Sequence, residues 1–226
     1  LAAGYATRLF PLTKNRPKAL LPLGDGTILD AVLDSLEGVP GLTRCVLVTN
    51  HRFAGRFREW AARRRTRITI LDDGSETNKT RLGAIRDLEV ARTRGAAEGD
   101  LLVVGTDNLF SWPLSEFVRR ARRYRPQVSV ALWEAPSRAS ATQFGVTTLD
   151  PTSRIVAFIE KSPRPPSTLV ALCLYYVPEP RCGRIREFLE AGGNADAPGY
   201  FIEWLAQREA VYGLPMAGSW FDIGTP

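Results

Sequence analysis

Along the chain, short runs of β-branched and aliphatic residues alternate with longer stretches in which apolar positions recur every three or four residues. That alternation predicts an α/β protein whose helices cover a mostly parallel sheet. RCVLVT at 44–49, ITIL at 68–71, DLLVVG at 100–105 and VSVALWE at 128–134 predict strands. The run at 100–105 is continuously apolar, which suits a central parallel strand covered on both faces. A helix is predicted at 28–36, with Thr27 as N-cap and Asp30 completing a capping box. Phe53, Phe57, Trp60 and Ala61 sit at helical spacing and read as core packing, and a further helix is predicted at 113–124. Beyond Ser140 the texture changes. Segments 144–150 and 154–161, joined by Pro151-Thr152-Ser153, predict a hairpin, and an apolar strand follows at 167–177. Residues 181–210 read as helix in two pieces, broken at Gly192-Gly193-Asn194 and at Pro198-Gly199, and carry no motif. The fold expected is a doubly wound, mostly parallel Rossmann-like sheet with an added β-hairpin region.

Composition narrows the class. At 226 residues with 44% hydrophobic content and five tryptophans, the chain can bury the core of one compact domain, and nothing suggests disorder. No apolar run is long enough to span a bilayer, and no charged-then-apolar leader is visible. Cys45, Cys173 and Cys182 are odd in number and widely spaced, so they predict unpaired thiols in a reducing, cytoplasmic setting. His51 is the only histidine, and nothing around it suggests a nucleophile–histidine pair. The net charge of +6 invites a nucleic-acid reading, but its distribution argues against one. The runs Arg63-Arg64-Arg65 and Arg119 to Arg123 fall at the ends of predicted helices, where cations complement the macrodipole, and no aromatic–basic interleaving is present. Among thirty cations only four are lysines, and two of these, Lys18 and Lys161, lie in the segments that carry chemistry. A lysine kept where arginine fills most solvent roles points to a need for a compact charge.

That chemistry begins at the first residues, LAAGYATRLFPLTKNRPKALLPL. Ala2, Ala3, Gly4 and Ala6 let a backbone approach a ligand, and their N–H groups can form a concave nest for anions. Thr7 and Arg8 add a hydroxyl and a planar fork suited to phosphate oxygens, and Lys18 follows ten residues later. Asp107 stands at the carboxyl end of the 100–105 strand, where ligands sit in open α/β sheets and where a carboxylate can hold Mg²⁺. Glu160 and Lys161 close the second strand of the predicted hairpin.

The two halves A-A-G-x-x-T-R-L and P-K-A-L-L-P resemble the signature of the sugar-1-phosphate nucleotidyltransferases, with Ala6 where that family usually has a second glycine. Thr106-Asp107-Asn108-Leu109-Phe110 is similar to the family's G-D-N-x-F, Phe144-Gly145-Val146 and Glu160-Lys161 to its hairpin motifs, and Trp220 to Pro226 to its W-x-D-x-G-T-P. The resemblance implies transfer of a nucleotidyl group from an NTP to a sugar 1-phosphate, giving an NDP-sugar and pyrophosphate, with glucose 1-phosphate or mannose 1-phosphate as the leading acceptors. It further implies that Arg8 and Lys18 are catalytic and that Ala2, Ala3, Gly4, Thr7 and Gly83 line the nucleotide. By the same resemblance Gly145, Glu160 and Lys161 hold the sugar phosphate, and Asp107 and Asp222 carry Mg²⁺. Thr106 replaces a glycine of the family pattern, and Cys173 stands where a glycine usually lies beside the sugar. The family also begins with an apolar strand just before L-A-A-G and continues past G-T-P. The expectation is therefore a single catalytic domain over 1–226 that lacks its first, central strand and its C-terminal end. A cytidylyltransferase for a non-sugar phosphate and an inactive nucleotide- or sugar-phosphate-binding regulator stay open, as does homo-oligomerisation.

Overall fold

The computed structural model describes residues 1–64, 68–95 and 98–224. Arg65 of the first arginine run, and Thr225 and Pro226 of the terminal motif, lie outside the described residues. A small hairpin of β1 (Pro22–Leu23) and β2 (Gly26–Thr27) leads into α1 (Ile28–Asp34). Then come β3 (Cys45–Thr49), α2 (His51–Ala62), β4 (Ile68–Asp72), α3 (Ala84–Arg94), β5 (Leu101–Val104), β6 (Asn108–Phe110) and α4 (Leu114–Ala121). The second half holds β7 (Val128–Glu134), α5 (Arg138–Ala141), β8 (Gly145–Leu149), β9 (Ile155–Glu160) and β10 (Leu169–Val177). The helices α6 (Gly183–Glu190) and α7 (Pro198–Ala206) and the strands β11 (Val211–Pro215) and β12 (Trp220–Asp222) complete it.

The sheet follows from the pairings. β3 runs parallel to β4, and β11 parallel to β7, while β10 is antiparallel to both β5 and β7. The first residues join the two groups: the Leu1 amine donates to the Val104 carbonyl at 3.0 Å, and Ala2 N–H to that of Val48 at 2.8 Å. The order is thus β4, β3, residues 1–3, β5, β10, β7, β11, with β10 alone reversed. β8 and β9 form the expected antiparallel hairpin, attached to β10 through Val146 and Val170, and β12 pairs with β6.

Burial on both faces explains the apolar runs. Along β7, Val130 and Leu132 face a cluster with Ile85, Ile185, Phe201 and Ile202, so α3, α6 and α7 cover that side. Ala131, between them, faces Leu114, Phe117 and Val118 of α4 on the other side, as the two-residue period of a strand requires. A third cluster, with Leu29, Leu47, Phe53 and Phe57, packs α1 and α2 against β3. Phe57 and Phe117 are fully buried, and burial of each contributes about 2–3 kcal/mol.

The Thr27–Asp30 capping box forms in both directions, and Asp30 Oδ1 also accepts from Trp60 Nε1 at 3.0 Å and from Arg64, which fastens α1 to α2. α1 stops at Asp34 instead of Leu36 because the chain tightens into turns that end at Gly38, whose φ is 76°. Pro198-Gly199 opens α7 and does not break a helix; proline at a first helical position forgoes an N–H that would have no partner there. Among the described residues, β3 pairs only with β4 and β5 only with β10. Upstream of Val48 and Val104 a channel of about 520 Å³ runs between them, lined by Leu29, Val32, Leu47 and Val103 and also by Arg44, Arg92, Asp100 and Arg122. Among the described residues, no helix is long and apolar enough to cross a membrane.

Candidate active site

The N-terminal loop is pinned from beneath. Asn50 caps α2 by accepting from Phe53 N–H at 3.0 Å, and its Nδ2 donates to the Ala3 carbonyl at 3.0 Å. Ala2 and Ala3 are buried, and Ala2 N–H is already used by Val48, so these two shape the loop's floor. Gly4, Thr7 and Arg8 are exposed along its rim, and a Cβ at Gly4 would meet nothing within 4 Å. Among the described residues no protein acceptor engages the N–H groups of Gly4, Tyr5, Ala6 and Thr7, which leaves a nest open to an anion. Ala6 occupies the left-handed region, with φ 46° and ψ 44°, at a cost of about 1 kcal/mol for a residue with a Cβ. Buried Thr13 donates to the Ala6 carbonyl at 2.8 Å and holds that conformation.

Lys18 reaches across from its short 3₁₀ turn, and its Nζ lies 2.6 Å from Asp107 Oδ2. The other oxygen, Oδ1, accepts from Asn108 Nδ2 at 2.7 Å, and Asn108 is itself fixed by Trp220 Nε1, which donates to its Oδ1 at 2.8 Å. β12 brings Asp222 beside them, with Ile223 N–H donating to the Asp107 carbonyl at 3.0 Å. Desolvation by the surrounding protein and the charge of Asp107 push the Asp222 carboxyl above its usual range, while Lys18 and Arg8 pull it back. Lys18, Asp107 and Asp222 therefore meet at one place, and Arg8, on the exposed rim of the loop, is near enough for its charge to act on Asp222. Two neighbouring carboxylates with a cation already against one of them are a donor set suited to Mg²⁺, which takes one or two carboxylates together with phosphate oxygens. Among the described residues, no group of three or more metal-ligating side chains occurs.

Thr106, at the position of a family glycine, has a definite role: its Oγ1 donates to the Leu1 carbonyl at 2.8 Å and ties the loop to the end of β5. Gly105 is needed where it stands, because a Cβ there would lie 3.0 Å from Asp107 Oδ1 and 3.1 Å from the Cys173 Cβ. Cys173 sits where the register between β10 and β7 shifts, and Gly105 N–H donates to its carbonyl at 2.8 Å. Burial first, then the charges of Asp107, Asp222 and Glu160, push its thiol up to about 12. The thiol thus stays neutral and marks the place where the carboxylate side meets the hairpin.

On the hairpin, Gly145 and Glu160 face each other across the ladder. A Cβ on Gly145 would lie 2.6 Å from Phe158 Cζ and 2.8 Å from Glu160 Oε2, so glycine keeps this spot open. The Glu160 side chain is 8% exposed, and burial pushes its carboxyl upward, against the pull of Lys161 at 4.0 Å. Lys161 has a φ of 50°, its N–H donates to the Phe144 carbonyl at 3.1 Å, and its side chain is open to solvent. Phe144 stacks edge-on against Trp220 at 5.0 Å, which links hairpin and carboxylates.

Gly83 is placed differently from the rest. It is buried as the N-cap of α3 with φ 91°, and a Cβ there would come 2.6 Å from the Ala195 carbonyl. Its glycine is required by packing against the 193–197 loop. Asn50, Asn108 and Trp220 act as supports for these groups, and an Asn at a strand end before an amphipathic stretch, as at Asn50, is a readable N-cap signal.

A mostly parallel sheet that gathers open loop N–H groups, two cations and two carboxylates near one strand end assembles groups of the kind that bind phosphate. The chain belongs to the nucleotidyl transferase family, whose profile it matches over residues 1–226. It is 27% identical over its whole length to "Bifunctional protein GlmU" of Methanocaldococcus jannaschii, covering 50% of that protein. It is 26% identical, again over its whole length, to glucose-1-phosphate adenylyltransferase of Thermosipho africanus and to mannose-1-phosphate guanylyltransferase catalytic subunit beta of Drosophila melanogaster, covering 58% of each. The chain thus spans about half the length of the curated relatives it matches. Its fold is shared with a putative glucose-1-phosphate thymidylyltransferase from Bacillus anthracis, solved in complex with a sucrose, at a TM-score of 0.79 and 18% identity, over 99% of this chain and 88% of that one.

Proposed function

We propose that this protein transfers a nucleotidyl group from an NTP to a sugar 1-phosphate, with glucose 1-phosphate or mannose 1-phosphate as acceptor, releasing pyrophosphate. The observation that carries this reading is the meeting of Lys18, Asp107 and Asp222, with Arg8 near, beside an open anion nest, one cysteine away from the Gly145–Glu160 recess. An oxygen of the sugar phosphate attacks the α-phosphorus in line; that P–O bond forms as the bond to the β-phosphate breaks, and the electron pair leaves with pyrophosphate. Such a reaction needs positioning and charge neutralisation more than a covalent nucleophile. The loop N–H groups and Arg8 hold the triphosphate and the departing pyrophosphate. Lys18 leaves Asp107 to bridge the two reacting phosphates. Glu160 accepts from sugar hydroxyls, Gly145 gives the ring room, and Lys161 meets the sugar's phosphate. Asp107 and Asp222 would hold Mg²⁺, which when bound screens the repulsion between the two anions.

Two further readings belong with it. The three unpaired thiols support a reducing, cytoplasmic setting. The channel between β3 and β5 accepts an extended apolar segment that continues the ladder upstream of Leu1 and completes one catalytic domain; a chain extended upstream by a short apolar strand should melt higher, and an unchanged melting temperature would count against this.

The test is pyrophosphate release across NTPs and sugar 1-phosphates, with Mg²⁺ or EDTA. Release with one pair, lost in EDTA and reduced about 10²–10³-fold in Lys18→Ala, is the expected result. Nucleotide or sugar-phosphate binding without release with any pair would favour a regulatory protein instead, and release from a non-sugar phosphate alone would favour the cytidylyltransferase alternative.

A further inference from the structure

Segment 195–199 touches both the loop that carries Gly83 and the Glu160 carboxylate. At one end the Ala195 carbonyl accepts from Ile85 N–H at 3.0 Å and covers Gly83. Beside it, Arg81 donates through Nε and Nη2 to a single oxygen of Asp196, at 3.0 and 2.6 Å, while its Nη1 holds the Asn78 carbonyl at 3.2 Å. At the other end Pro198 starts α7, and Gly199 lies so close to the Glu160 carboxylate and the Phe158 ring that a Cβ would collide with Oε2. Five consecutive residues therefore join the loop that carries Gly83 to the carboxylate that closes the hairpin.

We propose that loop 77–83 seats the nucleotide and that Arg81 and Asp196 are positioning residues: their clasp ties this loop to segment 195–199, so that nucleotide bound there sets the position of Glu160 for the acceptor. This rests on the nucleotidyltransferase reading above. The clasp is half-exposed, with side-chain exposures of 40% and 52%, and such pairs contribute little to global stability. A pair of this kind with two hydrogen bonds to one oxygen and a third to the neighbouring turn has its effect on loop geometry. The path from the loop to Glu160 is short because α7 starts directly after the clasp, and Gly199 leaves no side chain to absorb a shift before it reaches the carboxylate.

The experiment follows hydrogen exchange in the whole chain on addition of the NTP that supports turnover, or of each NTP in turn if none does, in the wild type, Arg81→Ala and the charge swap Arg81→Asp/Asp196→Arg. Nucleotide should slow exchange in 77–86, 195–201 and 155–161 of the wild type, and only in 77–86 of Arg81→Ala, with the swap restoring the wild-type pattern. In steady-state assays Arg81→Ala should raise KM for the sugar phosphate about 5- to 20-fold, a coupling of the usual size, with kcat little changed. Equal protection of 155–161 in wild type and Arg81→Ala overturns the proposal, as does nucleotide binding that never reaches 155–161 in the wild type. Failure of every NTP to bind the wild type overturns the nucleotidyltransferase reading and this inference with it.

Discussion

Asp87, one turn into α3, offers a test of how charge is carried beneath the loop that ends at Gly83. It is 5% exposed, and its Oδ1 has no hydrogen-bond partner. Burial first, then the charge and hydrogen bonding of Asp73, push its pKa from 3.8 to about 7. In the unfolded chain the carboxyl titrates near its ordinary value, so between about pH 4 and pH 7 the folded state keeps a proton that the unfolded state has lost. The stability from this group is fully present below about pH 4. It is lost as pH rises, by about 1.4 kcal/mol per unit, and the loss reaches about 4 kcal/mol above pH 7. Asp87→Asn keeps the volume and a donor toward Asp73 but cannot ionise. Thermal melts of wild type and variant from pH 4 to pH 8 should therefore show a gap that opens with pH in favour of the variant, by up to about 4 kcal/mol, or roughly 10 °C for a chain of this length. Taking the difference cancels Asp222, Glu160 and Glu203, whose carboxyls are also raised. A gap that stays constant with pH, or opens toward acid, refutes the reasoning. Asp73→Asn should shrink the effect, since it removes the like charge.

Gly145→Ala should raise KM for the sugar 1-phosphate about tenfold in pyrophosphate-release assays, because the new methyl collides with Phe158 and Glu160, and should leave the nucleotide KM unchanged. The same melts should place it about 1–3 kcal/mol below wild type, the usual cost of overpacking. A change in nucleotide KM of the same size would show that the hairpin is not the acceptor side.

Much of this was legible in the sequence wherever the cause is local. The bounds 128–134 of β7 follow from a run buried on both faces, and the Thr27–Asp30 capping box is a contact over three residues. Asp107 and Asp222 could be named from their motifs, and the structure brings them together. What escaped depends on distant partners. Asn108 is fixed by Trp220, Gly83 is constrained by Ala195, and the 193–199 segment reads as an interrupted helix until it is seen against Arg81 and Glu160. The short strands β6 and β12 escaped for the same reason, since among the described residues each has only the other as a pairing partner. Ala6 runs against its local preference: its left-handed backbone is held by Thr13, seven residues away.

Asp222 arrives on β12, through the exposed turn at Ala217, Gly218 and Ser219. During translation the sheet, its helices and Asp107 are all present before the second carboxylate leaves the ribosome. A chain released early, or nicked at that turn where proteases prefer to cut, would retain the phosphate nest and the hairpin while lacking the partner of Asp107. On the proposed reading such a fragment would still bind nucleotide and turn none over.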